Sequence, residues 1–139
     1  MDNKGIALVE FTIIALLLLT LAIGIIDWGL IAQDSQALGN AVREGAREAS
    51  LGGTPESITA VVLTNAPKQK PGEAPTTVTV RYRQWIEPSG WTDDWQPEYI
   101  TGPGKIQVRV KGEFQCNRIS EILGTNPIAL RSELTVQKE

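Results

Sequence analysis

The chain has 139 residues and no histidine. That removes the commonest general base and the commonest metal ligand. It has one cysteine, Cys116, so no internal disulfide can form and no cysteine zinc site can be built. No Gly-rich phosphate loop precedes a helix, and no nucleophile elbow is present. A basic stripe is missing too. Residues 28–139 carry 12 Lys and Arg against 13 Asp and Glu, a balance that argues against nucleic acid as a partner. These absences speak against an enzyme, a cofactor and a metal centre. The length corresponds to about one domain, with only a modest core outside its most apolar stretch.

One more absence is local. From Phe11 to Ile26, sixteen residues pass without a charge, and Glu10 stands at the head of this run. Residues 6–26 as a helix cover roughly 30 Å, most of a bilayer core. Three readings compete. A secretory signal peptide calls for a basic start and a small-residue cleavage site, but Lys4 is offset by Asp2 and "AIGIIDWG" offers no such site. A plain transmembrane anchor fits the length but leaves Glu10 unexplained. A buried helix of a soluble core would show a polar face, and this run shows none.

The helical pattern continues past Asp27. Apolar and small residues recur at Leu30, Ala37, Leu38, Ala41, Val42, Gly45, Ala46 and Ala49, with three-and-four spacing. Gln33, Asp34, Arg43, Glu44, Arg47 and Glu48 fill the other face, as a solvated surface or a subunit contact, with Glu44 and Arg47 spaced to pair weakly. Gly52-Gly53 stops the helix. The pattern therefore predicts one helix over about 6–51, apolar all round in its first half and amphipathic in its second.

"GIALVEF", the apolar run and then "NAVREGAREAS" together resemble the TadE-like pilins, or pseudopilins, of the tight-adherence branch of the type IV pilus family. The likeness covers about the first fifty residues. It rests on the Gly5-Ile6 junction, on Glu10 five residues after that glycine, and on "AVREGAR" at 41–47. The resemblance implies a leader, residues 1–5, removed by a membrane prepilin peptidase between Gly5 and Ile6. It also implies that Glu10 becomes the fifth residue of the mature chain.

Cutting there would create an ammonium on Ile6, about one helical turn from Glu10. In a bundle of copies, the amine of one subunit could meet the Glu10 carboxylate of another, each neutralising the other in a dry core. Such a pair sets axial register, as a lone polar group does in a coiled coil. The helix dipole also favours negative charge at this end. The competing reading leaves Glu10 at the headgroup level of an uncleaved anchor. Ala22, Gly24, Gly29 and Ala32 permit close approach of helices.

Beyond the helix, Thr54-Pro55-Glu56 reads as a helix start: a capping hydroxyl, a proline in the first turn, then an acid. Ile58, Val61 and Val62 form one face of a short helix ending near Asn65, and a polar Pro-rich loop follows over 66–75. "TTVTVRYRQW" alternates, with Val78, Val80 and Tyr82 against Thr77, Thr79, Arg81 and Arg83. "KIQVRVKGEF" sets Ile106, Val108 and Val110 against Lys105, Gln107, Arg109 and Lys111. Ile128, Leu130, Leu134 and Val136 share parity in a last strand. Ile119, Ile122 and Leu123 suit a short helix between Asn117 and Gly124. Three strands, each with one wet and one dry face, predict a small antiparallel sheet covered on one side by the amphipathic half of the long helix. The expected fold class is α+β, a long N-terminal helix on a small antiparallel sheet, in the manner of a type IV pilin.

"QWIEPSGWTDDWQPEYITGPG", 84–104, holds Trp85, Trp91, Trp95 and Tyr99, with four acids and no base. It reads first as a long hairpin loop whose rings fold over the sheet edge. Next comes a sugar- or protein-contact surface, and last a calcium site using Asp93 and Asp94. An enzyme using these acids would need two carboxylates held at fixed separation, which the loop's proline and glycine content works against. Cys116 continues the inward parity of its strand and reads as a small core residue.

The expected organisation is a leader at 1–5, a transmembrane or filament-core helix at 6–27, an amphipathic continuation at 28–52 and an extracytoplasmic α+β head at 53–139. The expected protein is a pilin-like structural subunit. It sits in the inner membrane as a precursor and enters an extracellular filament, or its assembly machinery, through its apolar helix. Its partners are other pilin subunits, a prepilin peptidase and the membrane. The alternative is an uncleaved, membrane-anchored binding module with a Trp-rich loop.

Overall fold

A computed structural model describes residues 3–69, 74–87, 89–92, 94–100, 104–116 and 127–138. The short helix expected around Ile119, Ile122 and Leu123 lies outside these residues, as does Asp93. The first element is helix α1, Asn3–Ser50. The chain divides after Gln33 into two units, Met1–Gln33 and Asp34–Glu139.

Within the first unit every residue from Gly5 to Ile26 is exposed. Its large apolar side chains range from 44% exposure at Ile23 to 72% at Phe11. The two threonine hydroxyls turn inward on the helix itself. Thr12 Oγ1 donates to the Leu8 carbonyl at 2.8 Å, and Thr20 Oγ1 donates to the Leu16 carbonyl. With its backbone and hydroxyls satisfied internally, the helix leaves only hydrocarbon facing outward over residues 11–26, with Glu10 at the head of that surface.

The second unit starts with the last turns of α1. Leu38, Ala41, Val42, Ala46 and Ala49 are buried, while Arg43, Glu44 and Arg47 stay exposed, as the periodicity predicts. The helix ends in a Schellman motif: the Gly53 N–H donates to the Glu48 carbonyl at 3.0 Å and the Gly52 N–H to the Ala49 carbonyl at 3.1 Å. The motif needs a left-handed residue, and Gly52 supplies it at φ +87°. Helix α2, Pro55–Asn65, starts as expected: Thr54 Oγ1 accepts from the Ser57 N–H at 3.3 Å, with proline in the first turn. Ile58 and Val62 are buried and Val61 is half-buried.

The sheet comprises β1 (Thr77–Ile86), β2 (Gly90–Trp91), β3 (Ile106–Cys116) and β4 (Ile128–Lys138). All pairings are antiparallel, in the order β2-β1-β3-β4. β3 alternates strictly between buried and half-buried residues, with Ile106, Val108, Val110, Gly112, Phe114 and Cys116 inward. The core joins Ala41, Val42, Ala46 and Ala49 of α1 and Ile58 and Val62 of α2 to Tyr82, Ile106, Val108 and Val110 of the sheet. Cys116 is a buried free thiol at the end of that inward row. At Gly45 helix α1 packs tightly on α2: a Cβ there would lie 2.3 Å from Val62 Cγ2. The result is the expected α+β arrangement, a long helix with an apolar first half on a small, curled antiparallel sheet.

Candidate assembly and contact sites

The residues singled out at the N-terminus lie on exposed helix. Gly5, Ile6 and Glu10 all face outward, and a Cβ at Gly5 would touch nothing within 4 Å. Among the described residues Glu10 has no ion-pair partner. Its neighbours Val9 and Phe11 are 58% and 72% exposed, so the surface around this carboxylate is apolar, and a carboxylate in such a setting is costly unless water, headgroups or a cation reach it. The stretch Gly5–Ser50 contains a segment long and apolar enough to cross a membrane.

On the second half of α1 the expected Glu44–Arg47 pair is not among the ion pairs of the described residues. Arg43 Nη1 instead donates to Asn40 Oδ1 at 3.1 Å. Exposed partners on long side chains gain too little to be held together. Glu48, grouped with them on the polar face, is half-buried and accepts from Ser57 Oγ at 3.1 Å. It ties the start of α2 to the end of α1.

The aromatic loop folds back on the sheet. Trp91 sits in β2, opposite Trp85, and the two rings meet edge to face with centroids 5.5 Å apart. The Tyr82 N–H donates to the Gln96 carbonyl and the Gln96 N–H to the Tyr82 carbonyl, each at 2.8 Å, which returns the loop to β1. Trp95 is thereby placed on the wet face. The guanidinium carbon of Arg109 lies 4.0 Å from its ring centroid and that of Arg83 4.6 Å. Both distances suit cation–π contact. Tyr99 goes to the dry side. It packs edge to face on Tyr82 at 5.4 Å and donates its hydroxyl to the Gly52 carbonyl at 3.1 Å. Lys138 Nζ donates to that same hydroxyl at 3.1 Å. The four aromatic residues therefore do not converge on one surface. Asp94 is exposed, and among the described residues no group of three or more metal-ligating side chains is gathered.

Two features escaped the sequence reading. The first is a concentration of base on the outer sheet face. Arg81 and Arg109 stand directly opposite each other, as do Thr79 and Lys111, and Arg83 and Gln107. Arg109 Nε lies 3.0 Å from Glu133 Oε1, off the line of a good hydrogen bond, and Glu113 is shared by Lys111 and Arg131. A shallow hollow of about 300 Å³ opens among Thr79, Arg81, Trp95, Arg109, Lys111 and Glu133. A count of charge along the chain cannot show this, because alternation brings every second residue of three distant strands together. The second is Tyr82, 1% exposed, whose hydroxyl has no hydrogen-bond partner among the described residues. Burial, then the nearby Tyr99 and Glu56, push its pKa up to about 12.

An exposed apolar helix followed by a small α+β head fits a membrane-anchored subunit of pilin-like build. Residues 5–47 match the family model of TadE-like proteins, a pilus-related structural family. The N-terminal resemblance is thus borne out over the segment that carried it, and residues 48–139 lie outside the match. No match was found among curated proteins or among solved structures.

Proposed function

We propose that this chain is a pilin-like structural subunit, held in the inner membrane with its head outside and assembled through its apolar helix into an extracellular filament or its machinery. The observation that carries this reading is the complete exposure of residues 5–26, joined to the family match over 5–47. Helix surface of that kind requires either lipid or other helices, and it can exchange one for the other because its backbone is satisfied in both. On this reading the leader is residues 1–5. A prepilin peptidase cuts between Gly5 and Ile6, and the new Ile6 ammonium pairs with Glu10 of a neighbouring copy.

The test is the mass of the protein recovered from envelope fractions, with and without Gly5→Ala. Loss of a fragment ending at Gly5, blocked by the substitution, supports processing. An unchanged mass for both proteins favours the uncleaved anchor, in which the Trp-rich loop would serve as a binding surface. That second reading draws its support from Trp85, which is 37% exposed near the end of β1. The anchor reading expects a monomer in which Glu10→Ala has no effect.

A further inference from the structure

The two edges of the sheet differ sharply. On one side residues 82–86 of β1 are covered by β2, a strand of only two residues, and by the bridge from Tyr82 to Gln96 of the loop. The other is β4, eleven residues long, which among the described residues pairs on one side only, with β3. A long edge presents a row of unused N–H and C=O groups, a ready template for another strand. The apolar row of β4 is also incompletely covered. Ile128 is 39% exposed and Leu134 is 37% exposed, although β3 beside it buries every inward residue.

The sequence of this edge is complementary to itself. Antiparallel pairing of two β4 strands about Ser132 keeps the dry and wet faces in step, because partners then always have the same parity. In that register Arg131 of each copy faces Glu133 of the other, twice over. Leu130 faces Leu134 and Ile128 faces Val136 on the dry face, and Ala129 faces Thr135 on the wet face. Shifting the register by two residues, so that the axis falls on Glu133, sets that carboxylate against its own copy. An axis on Arg131 does the same to that guanidinium. Like charges directly opposite are destabilising.

We propose that β4 is an interaction edge for a second copy of this chain, joined by antiparallel pairing centred on Ser132 into a continuous eight-stranded sheet. The contact is two-fold and closes on itself, so it does not propagate a shaft. It joins heads that belong to different assemblies, side by side. It stands independently of the cleavage and register reading.

The test uses the full chain in detergent with a short thiol-reactive bis-maleimide linker of about 8 Å reach. Ser132→Cys places two thiols roughly 5 Å apart across the axis. Thr135→Cys places them roughly 20 Å apart, six residues along the strand. Wild type, whose Cys116 is buried, provides the background. Dimers from Ser132→Cys and monomers from Thr135→Cys are expected. In the Ser132→Cys background, Glu133→Arg should abolish the dimer and the charge swap Arg131→Glu with Glu133→Arg should restore it. Equal cross-linking at both positions, monomers from Ser132→Cys, or capture of a different protein at that position in envelopes would each overturn the proposal.

Discussion

Tyr82 concentrates a conflict at one residue. Its ring fills the core against Tyr99, while its hydroxyl is buried without a partner among the described residues. An unsatisfied buried hydroxyl costs on the order of 1–3 kcal/mol. Tyr82→Phe keeps the ring, so at pH 7 the variant head should be as stable as wild type or more so, read by thermal melting. A pH series separates this from simple packing. The folded phenol titrates near 12 and an unfolded one near 10. Its stabilisation is full below pH 10, because the proton is then bound in both states, and it is lost as pH rises from 10 to 12. The loss is about 2 to 3 kcal/mol at most, and it should be absent from Tyr82→Phe. Gly45 tells the opposite story. Alanine there would gain about 1 kcal/mol in helix propensity. Its Cβ would nevertheless fall 2.3 Å from Val62 Cγ2 in the buried contact of α1 with α2. Overpacking wins, and Gly45→Ala should destabilise the head by about 1–3 kcal/mol.

Among the elements, the helices were the most legible. The α1 stripe from Leu38 to Ala49 and the Thr54-Pro55 start of α2 were set by local spacing and capping, and both formed as read. Thr54→Ala should lower head stability by about 1 kcal/mol by removing the cap, measurable as a small drop in melting temperature. The long strands were legible because alternation is local as well. β2 was not, since two residues in a Trp-rich loop carry no period. Trp95 was read first as a ring folded over the sheet, but the side chains it meets were not legible: they are Arg83 on β1 and Arg109 on β3, which only the sheet register brings near. Trp95→Ala should therefore destabilise the head by about 1–2 kcal/mol through two lost cation–π contacts. Trp85→Ala, at a more exposed ring near the end of β1, should cost less. Equal costs in denaturant melts would contradict this division of roles.

At the scale of the whole molecule, the chain joins two solubility regimes. Its first unit exposes hydrocarbon along residues 11–26, and its second buries a compact core under an amphipathic helix. The motif around Gly5 and Glu10 was readable because its spacing is local and its residues are unusual in that setting. What Glu10 meets was not readable, because its partner on this account belongs to another copy. The central claim is that pairing of a freed Ile6 ammonium with Glu10 of a neighbouring subunit sets register in a packed apolar shaft. A density map of the assembled filament tests it most directly. The account predicts the two groups within 4 Å of each other across a subunit boundary, shielded from water. A Glu10 carboxylate pointing into solvent, or an Ile6 nitrogen still bonded to Gly5, would contradict it.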